Sequence, residues 1–344
     1  MSKLRSLEML RAVAALLVVL YHAQTIFTPP SGRAPFGGIF IGFNHGVDLF
    51  FVLSGFIIAY VHGDDLGRPA RLKNYLFNRI SRIYPSVWIM TALALAMYSA
   101  GFGGADKVSK LDPASILASF LLLAQQGAPM VNVTWSLTYE IFFYGVFAIA
   151  IINRPVGLML LVAWQVGTAA LALSNLDPGF YGYYFRTICL EFSIGLACAW
   201  WLRRAGTPIH VAAWWVALAI GIGGLAAGMA LSEAIGWQGL LSPLGSGLVI
   251  LALVRLEQAG KIRVPGFLQE LGGASYAIYM VHFSVITVLA AILAHLRVPV
   301  MDWLCLACAA AGVVGGLMFD RLLDRPIQGW LRARKPAILR IQTA

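Results

Sequence analysis

Apolar runs of about 17 to 25 residues recur along this whole sequence, and each is long enough to cross a hydrocarbon core of about 30 Å as a helix. Composition agrees: of 344 residues, 60% are hydrophobic and 12% charged, where soluble domains average roughly 25% charged, and the mean hydropathy is +0.79. The chain reads as an all-α polytopic membrane protein. No soluble domain is left over, and no repeat, low-complexity tract or linker divides it, so a single integral membrane domain is expected over residues 1–344. The first run, Ala12–Ala23, follows Lys3 and Arg5 as a signal peptide would. Arg11 and His22 bracket it, however, and it lacks a convincing small-residue cleavage site, so it is expected to remain as the first helix.

Basic residues set the orientation. Ten helices are expected, at about 5–27, 45–62, 80–100, 134–152, 155–173, 186–202, 209–231, 238–254, 268–293 and 301–322. With both termini in the cytoplasm, nineteen Lys and Arg residues fall in cytoplasmic segments, from Lys3 to Arg340. Arg33, Lys107, Lys110, Arg186 and Arg297 lie outside, and Arg11 sits within the first helix. This is the positive-inside pattern, and it explains the net charge of +10 without a nucleic-acid partner. If the short run Ser115–Ala124 crossed the membrane, every later basic loop would change sides. It is expected to stay on the outer side as a surface or re-entrant segment, broken by Pro113 before it and by Gly127 and Pro129 after it.

The four cysteines fall inside apolar helices and read as small core residues. Cys305 and Cys308 have redox-motif spacing, but in mid-helix. None of the six histidines pairs with a second His or a Cys at ligand spacing on one helix, so no metal is expected.

Polar residues within the membrane are expensive and mark candidate sites. His22 lies eleven positions after Arg11, which brings their side chains to within about 20° on one helix face, some 16 Å apart along the axis. Arg11 then belongs to the inner half and His22 to the outer half. Snorkelling of Arg11 and a simple interhelical bond for His22 are the ordinary alternatives. Asp48, near the outer start of the second helix, lies at a similar depth to His22 and can orient a base or stabilise its cation; His45, one turn earlier, can compete for it. Arg79 and Arg82, at i and i+3, point one way and can clamp phosphate oxygens, or serve only orientation and anionic lipid. Pro85 is expected in the first turns of its helix. Glu140 lies about two turns into the fourth helix. Trp135, Tyr139 and Tyr144 form either an interfacial belt or a stacking wall for a sugar. His282 sits about mid-helix, with Tyr276 and Tyr279 before it.

Together, Arg11-x10-His22, GVDLFFVLSGF (46–56), Arg79-x-x-Arg82-x-x-Pro85, WSLTYE (135–140) and SYAIYMVH (275–282) resemble the bacterial acyltransferase-3 family of integral membrane proteins, which O-acylate surface sugars. Each motif alone is weak; five in one order are specific. The resemblance runs from residue 5 to Asp324-Arg325-Pro326, where many relatives carry glutamate in place of Asp324. The length resembles that of exopolysaccharide-modifying members. The resemblance implies acyl-coenzyme A as donor, most simply acetyl-coenzyme A, and a periplasm-facing hydroxyl of a polysaccharide or lipid-linked oligosaccharide as acceptor, in the bacterial inner membrane. Residues and resemblance converge on one expectation. Arg79, Arg82 and Arg11 hold the donor's phosphates, and His22 is the general base, with Asp48 or Glu140 supporting its cation. Trp135, Tyr139, Tyr276 and His282 line the substrate site. A covalent acyl-enzyme remains an alternative. The rival functions are a transporter or flippase of a lipid-linked sugar, for which no inverted repeat is visible, and a non-enzymatic subunit of a polysaccharide assembly machine.

Overall fold

The computed structural model describes residues 4–29, 32–104, 107–174, 176, 179–204, 210–231 and 237–335. Lys3 and Arg340 of the charge pattern lie outside the described residues. Among the described residues, fourteen α-helices follow in order: α1 Arg5–Phe27, α2 Gly46–His62, α3 Leu72–Ser99, α4 Lys107–Lys110, α5 Pro113–Leu121, α6 Trp135–Ile152, α7 Arg154–Ser174, α8 Cys189–Arg204, α9 Val211–Ala230, α10 Leu241–Gln258, α11 Gly266–Gly273, α12 Ser275–His295, α13 Asp302–Phe319 and α14 Arg325–Ala333. No strand occurs among the described residues. The protein is an all-α polytopic membrane protein. Among the described residues, nine helical segments are long and apolar enough to cross a bilayer. The sixth expected helix, 186–202, is the 16-residue α8, about 24 Å long and below that length.

The chain divides into two compact units. One comprises the residues up to Val61 with Leu190–Leu317; the other comprises His62–Cys189 with the residues from Met318 onward.

In the first unit, α1 is buried on both sides. Leu7, Leu10 and Ala14 pack with Leu49, Val52, Leu53 and Phe56 of α2, Ala199 and Leu202 of α8, and Ile250 and Leu253 of α10. Ala15, Val19 and Ala23 pack with Ile278 and Ile286 of α12 and Leu304, Cys305, Cys308 and Ala309 of α13. All four cysteines are free thiols. Because lipid tails are as apolar as leucine, helices in a membrane associate by close packing over small residues. A Cβ at Gly316 would lie 2.4 Å from the Cα of Ile278, and one at Gly312 would lie 3.2 Å from the Cβ of His282. These two glycines of α13, one turn apart, let α12 approach and bury His282 completely.

In the second unit, α3 begins at Leu72, earlier than the expected residue 80, so Pro85 sits inside the helix rather than in its first turns. Lys73, expected in the cytoplasmic segment before the helix, lies in the first turn of α3, and Arg79 and Arg82 follow on the same helix. A mid-helix proline removes the bond to the carbonyl four residues back, here that of Ser81. Gln328 Nε2 of α14 donates to this carbonyl at 2.7 Å. One residue on, Ser86 Oγ donates to Asp324 at 2.6 Å. Asp320 pairs with Arg325 at 2.6 Å, across the π-helical segment Asp320–Asp324 that links α13 to α14.

The short run expected near the outer surface is α5, nine residues long and about 13 Å, too short to span. Asp112 caps it by accepting from the backbone N–H of Ala114 and Ser115 at 3.0 and 3.2 Å. Its last carbonyls, Phe120 and Leu121, are satisfied by Trp88 and Tyr84 of α3.

Candidate functional site

The ten expected site residues fall into two groups: Arg11, His22, Asp48, Tyr276 and His282 in the first unit, and Arg79, Arg82, Trp135, Tyr139 and Glu140 in the second.

The core of the first group is a pair of histidines. His22 Nδ1 on α1 lies 3.0 Å from His282 Nε2 on α12. His282 Nδ1 lies 2.9 Å from the carbonyl oxygen of Ile278. A carbonyl can only accept, so His282 Nδ1 carries a proton; with both rings neutral, His282 Nε2 is an acceptor and His22 donates to it through Nδ1–H. That leaves His22 Nε2 with its lone pair, the form a general base requires. Tyr21 and Phe283 meet the His22 ring edge to face at centroid distances of 5.0 and 5.1 Å. They hold it by packing alone.

Asp48 is not the partner of His22. It accepts from His45 Nδ1 at 2.6 Å, so the competitor one turn earlier takes it. A loop positions His45: Gln24 Oε1 of α1 accepts from the Phe40 N–H at 2.9 Å, and the turn Ile41–His45 leads directly into α2. His45 Nε2 is buried and unpartnered among the described residues. Glu191 of α8, which drew no attention in sequence, is buried and adds a second carboxylate close enough to interact with Asp48. Arg11 and Tyr276 are half-buried on α1 and α12. Tyr279 packs its ring 6.0 Å from that of His282.

In the second group, Arg79 and Arg82 have different surroundings. Arg82 is exposed and has no hydrogen bond or ion pair among the described residues. Arg79 is half-buried: its Nη2 lies 3.1 Å from His62 Nε2, and its guanidinium lies 5.6 Å from the centroid of the Tyr144 ring. Tyr144 in turn donates its hydroxyl to Glu140, and its backbone carbonyl accepts from the Tyr75 hydroxyl at 3.1 Å. His62 Nδ1 lies 2.8 Å from Asp65. His62, Asp65 and Tyr75 were missed in sequence; the available signal was His-x-x-Asp at the end of an apolar helix, which reads as an ordinary interfacial turn.

Tyr139 is 1% exposed and stacks on Tyr183 at 4.7 Å, so its face is already occupied. Trp135 meets its edge at 6.1 Å. Tyr183 and Tyr184, in the loop before α8, have their phenols held above the ordinary range by burial and remain hydrogen-bond donors. The exposed Arg186 places its guanidinium 5.5 Å from the Tyr183 ring.

A family model described as an acyltransferase domain matches residues 4–319, across both units. The chain is 28% identical over 306 residues to the exopolysaccharide production protein ExoZ of Rhizobium meliloti, covering 84% of this chain and 91% of that protein. It is 29% identical over 160 residues to protein 2 in the picA locus of Rhizobium radiobacter, covering 41% and 79%. Against the peptidoglycan O-acetyltransferase OatA of Listeria monocytogenes it is 24% identical over 363 residues, covering 94% of this chain but 55% of the longer protein. No solved structure matches. With one family model spanning nearly the whole chain, the protein belongs to the acyltransferase-3 family of membrane O-acyltransferases.

Proposed function

We propose that the protein transfers an acyl group, most simply acetyl, from acyl-coenzyme A to a sugar hydroxyl of an exopolysaccharide or its lipid-linked precursor. Its setting in this reading is the bacterial inner membrane. The observation that carries the proposal is the oriented pair His22 and His282, set in a chain of an acyltransferase family. As the acceptor oxygen attacks the thioester carbon, His22 Nε2 takes the hydroxyl proton, the C–S bond breaks, and the coenzyme A thiolate receives the proton back. His282 holds the tautomer that exposes His22 Nε2. Asp48, with His45 and Glu191, forms a second polar group in the same unit. Arg79 and Arg82 bind the anionic donor, and Arg11 adds charge on the helix that carries His22. Trp135 and Tyr276 contact the acceptor. The exopolysaccharide named for the rhizobial relative supports the acceptor class.

The test is transfer of label from acetyl-coenzyme A to polysaccharide in membranes. Label in base-labile esters on the polysaccharide, present with the protein and absent from a deletion strain, is the expected result. Polysaccharide that is exported less but equally acetylated without the protein would favour the flippase or assembly-subunit reading.

A further inference from the structure

We infer that His62 and Asp65 are positioning residues that hold Arg79 in the orientation needed to grip an anionic phosphate group; this rests on the proposal that Arg79 binds the donor. Asp65 accepts at 2.8 Å from His62 Nδ1. A carboxylate on Nδ1 fixes the proton there, so His62 Nε2 is a lone pair facing Arg79 Nη2 at 3.1 Å. The guanidinium is thereby held at one edge by His62, while its face rests on Tyr144. Tyr144 is tied to Glu140 by its hydroxyl and to Tyr75 by its carbonyl. His62 is itself 5% exposed, and Tyr75, 0% exposed, meets its ring edge to face at 5.0 Å.

The short 3-10 turn Gly63–Asp65 after α2 brings Asp65 back onto His62, and Arg71 Nε, 3.8 Å from Asp65, adds charge on its other oxygen. A long arginine side chain loses rotamer freedom when it binds. Here that freedom is already removed on two sides, so a guanidinium with five donors keeps the rest of its fork for a ligand. Arg82, three residues on, has no such support. The two arginines therefore differ in function: Arg79 is an oriented fork and Arg82 an exposed charge without such support.

Purified protein in lipid nanodiscs, assayed with acetyl-coenzyme A and with acetyl-pantetheine, which lacks the nucleotide phosphates, separates the possibilities. Arg79→Ala should raise the KM for acetyl-coenzyme A by about ten- to a hundredfold, the size of one lost charge-assisted bond, and leave acetyl-pantetheine unaffected. His62→Ala should do the same, and combining the two should add little. His62→Gln, whose amide oxygen still accepts toward Arg79, should restore most of the affinity. Asp65→Asn should give an intermediate loss. An effect of Arg79→Ala with none from His62→Ala would overturn the positioning role. So would a His62→Ala defect that is equal for both donors or not rescued by glutamine. No effect of Arg79→Ala on either donor would overturn the underlying assignment of Arg79 instead.

Discussion

His282 decides which nitrogen of His22 is free, and this gives it a testable signature. Removing the acceptor with His282→Ala lets the His22 proton migrate or the ring turn; turnover should fall by about tenfold or more, up to the 10²–10⁴-fold of losing a general base outright, with donor KM unchanged. His282→Gln, which offers an oxygen near the position of Nε2, should recover part of the rate. A loss in donor KM with turnover intact would instead assign His282 to binding. Both histidines were visible in sequence as polar residues inside apolar helices, but their pairing was not, because 260 residues separate them and nothing local encodes a contact at that range. Asp48 drew attention for the same reason of cost in lipid, and the structure shows that cost met by His45, three residues away. His62 stayed hidden because a histidine at the end of an apolar run, followed by Gly63-Asp64-Asp65, resembles any helix exit into water.

The orientation of His282 depends on how closely α12 and α13 approach. A methyl group at Gly316 would meet the backbone of Ile278 at 2.4 Å, a contact no side-chain rotation relieves. Overpacking of this kind costs about 1–3 kcal/mol, against a helix-propensity gain of at most about 1 kcal/mol for alanine over glycine. Gly316→Ala should therefore lower the midpoint of thermal unfolding in detergent by a few degrees and reduce turnover as His282 shifts. Gly223→Ala on α9, where a Cβ meets nothing within 4 Å, gains that propensity without the clash, so it should leave turnover unchanged and the midpoint unchanged or slightly raised. Equal midpoints for the two variants would show that α12 and α13 are not tightly apposed. At this scale the sequence was legible in its apolar runs and less so at their ends. The start of α3 was hidden because Lys73 and its neighbours precede the apolar run and were counted as a cytoplasmic segment, and the tolerance of Pro85 inside α3 depends on Gln328, which lies far along the chain.

For the whole molecule, a multi-pass all-α protein followed directly from the repeated apolar runs, and the motif order pointed to the family that the comparisons then supplied. The division into two units was not legible in sequence, because no linker or low-complexity tract marks the places where the chain passes from one to the other. The positive-inside count predicts that a single cysteine introduced in the segment 107–133, which carries α4 and α5, reacts with a membrane-impermeant thiol reagent from outside intact cells; labelling only after permeabilisation would reverse the orientation. The central claim concerns His22 as the base in acyl transfer, and single-turnover kinetics of the purified protein test it most directly. His22→Ala should slow transfer from acyl-coenzyme A to the sugar acceptor by about 10²–10⁴-fold while the donor dissociation constant stays at the wild-type value. A transfer rate within a few-fold of wild type, or a loss explained by weaker donor binding, would contradict it.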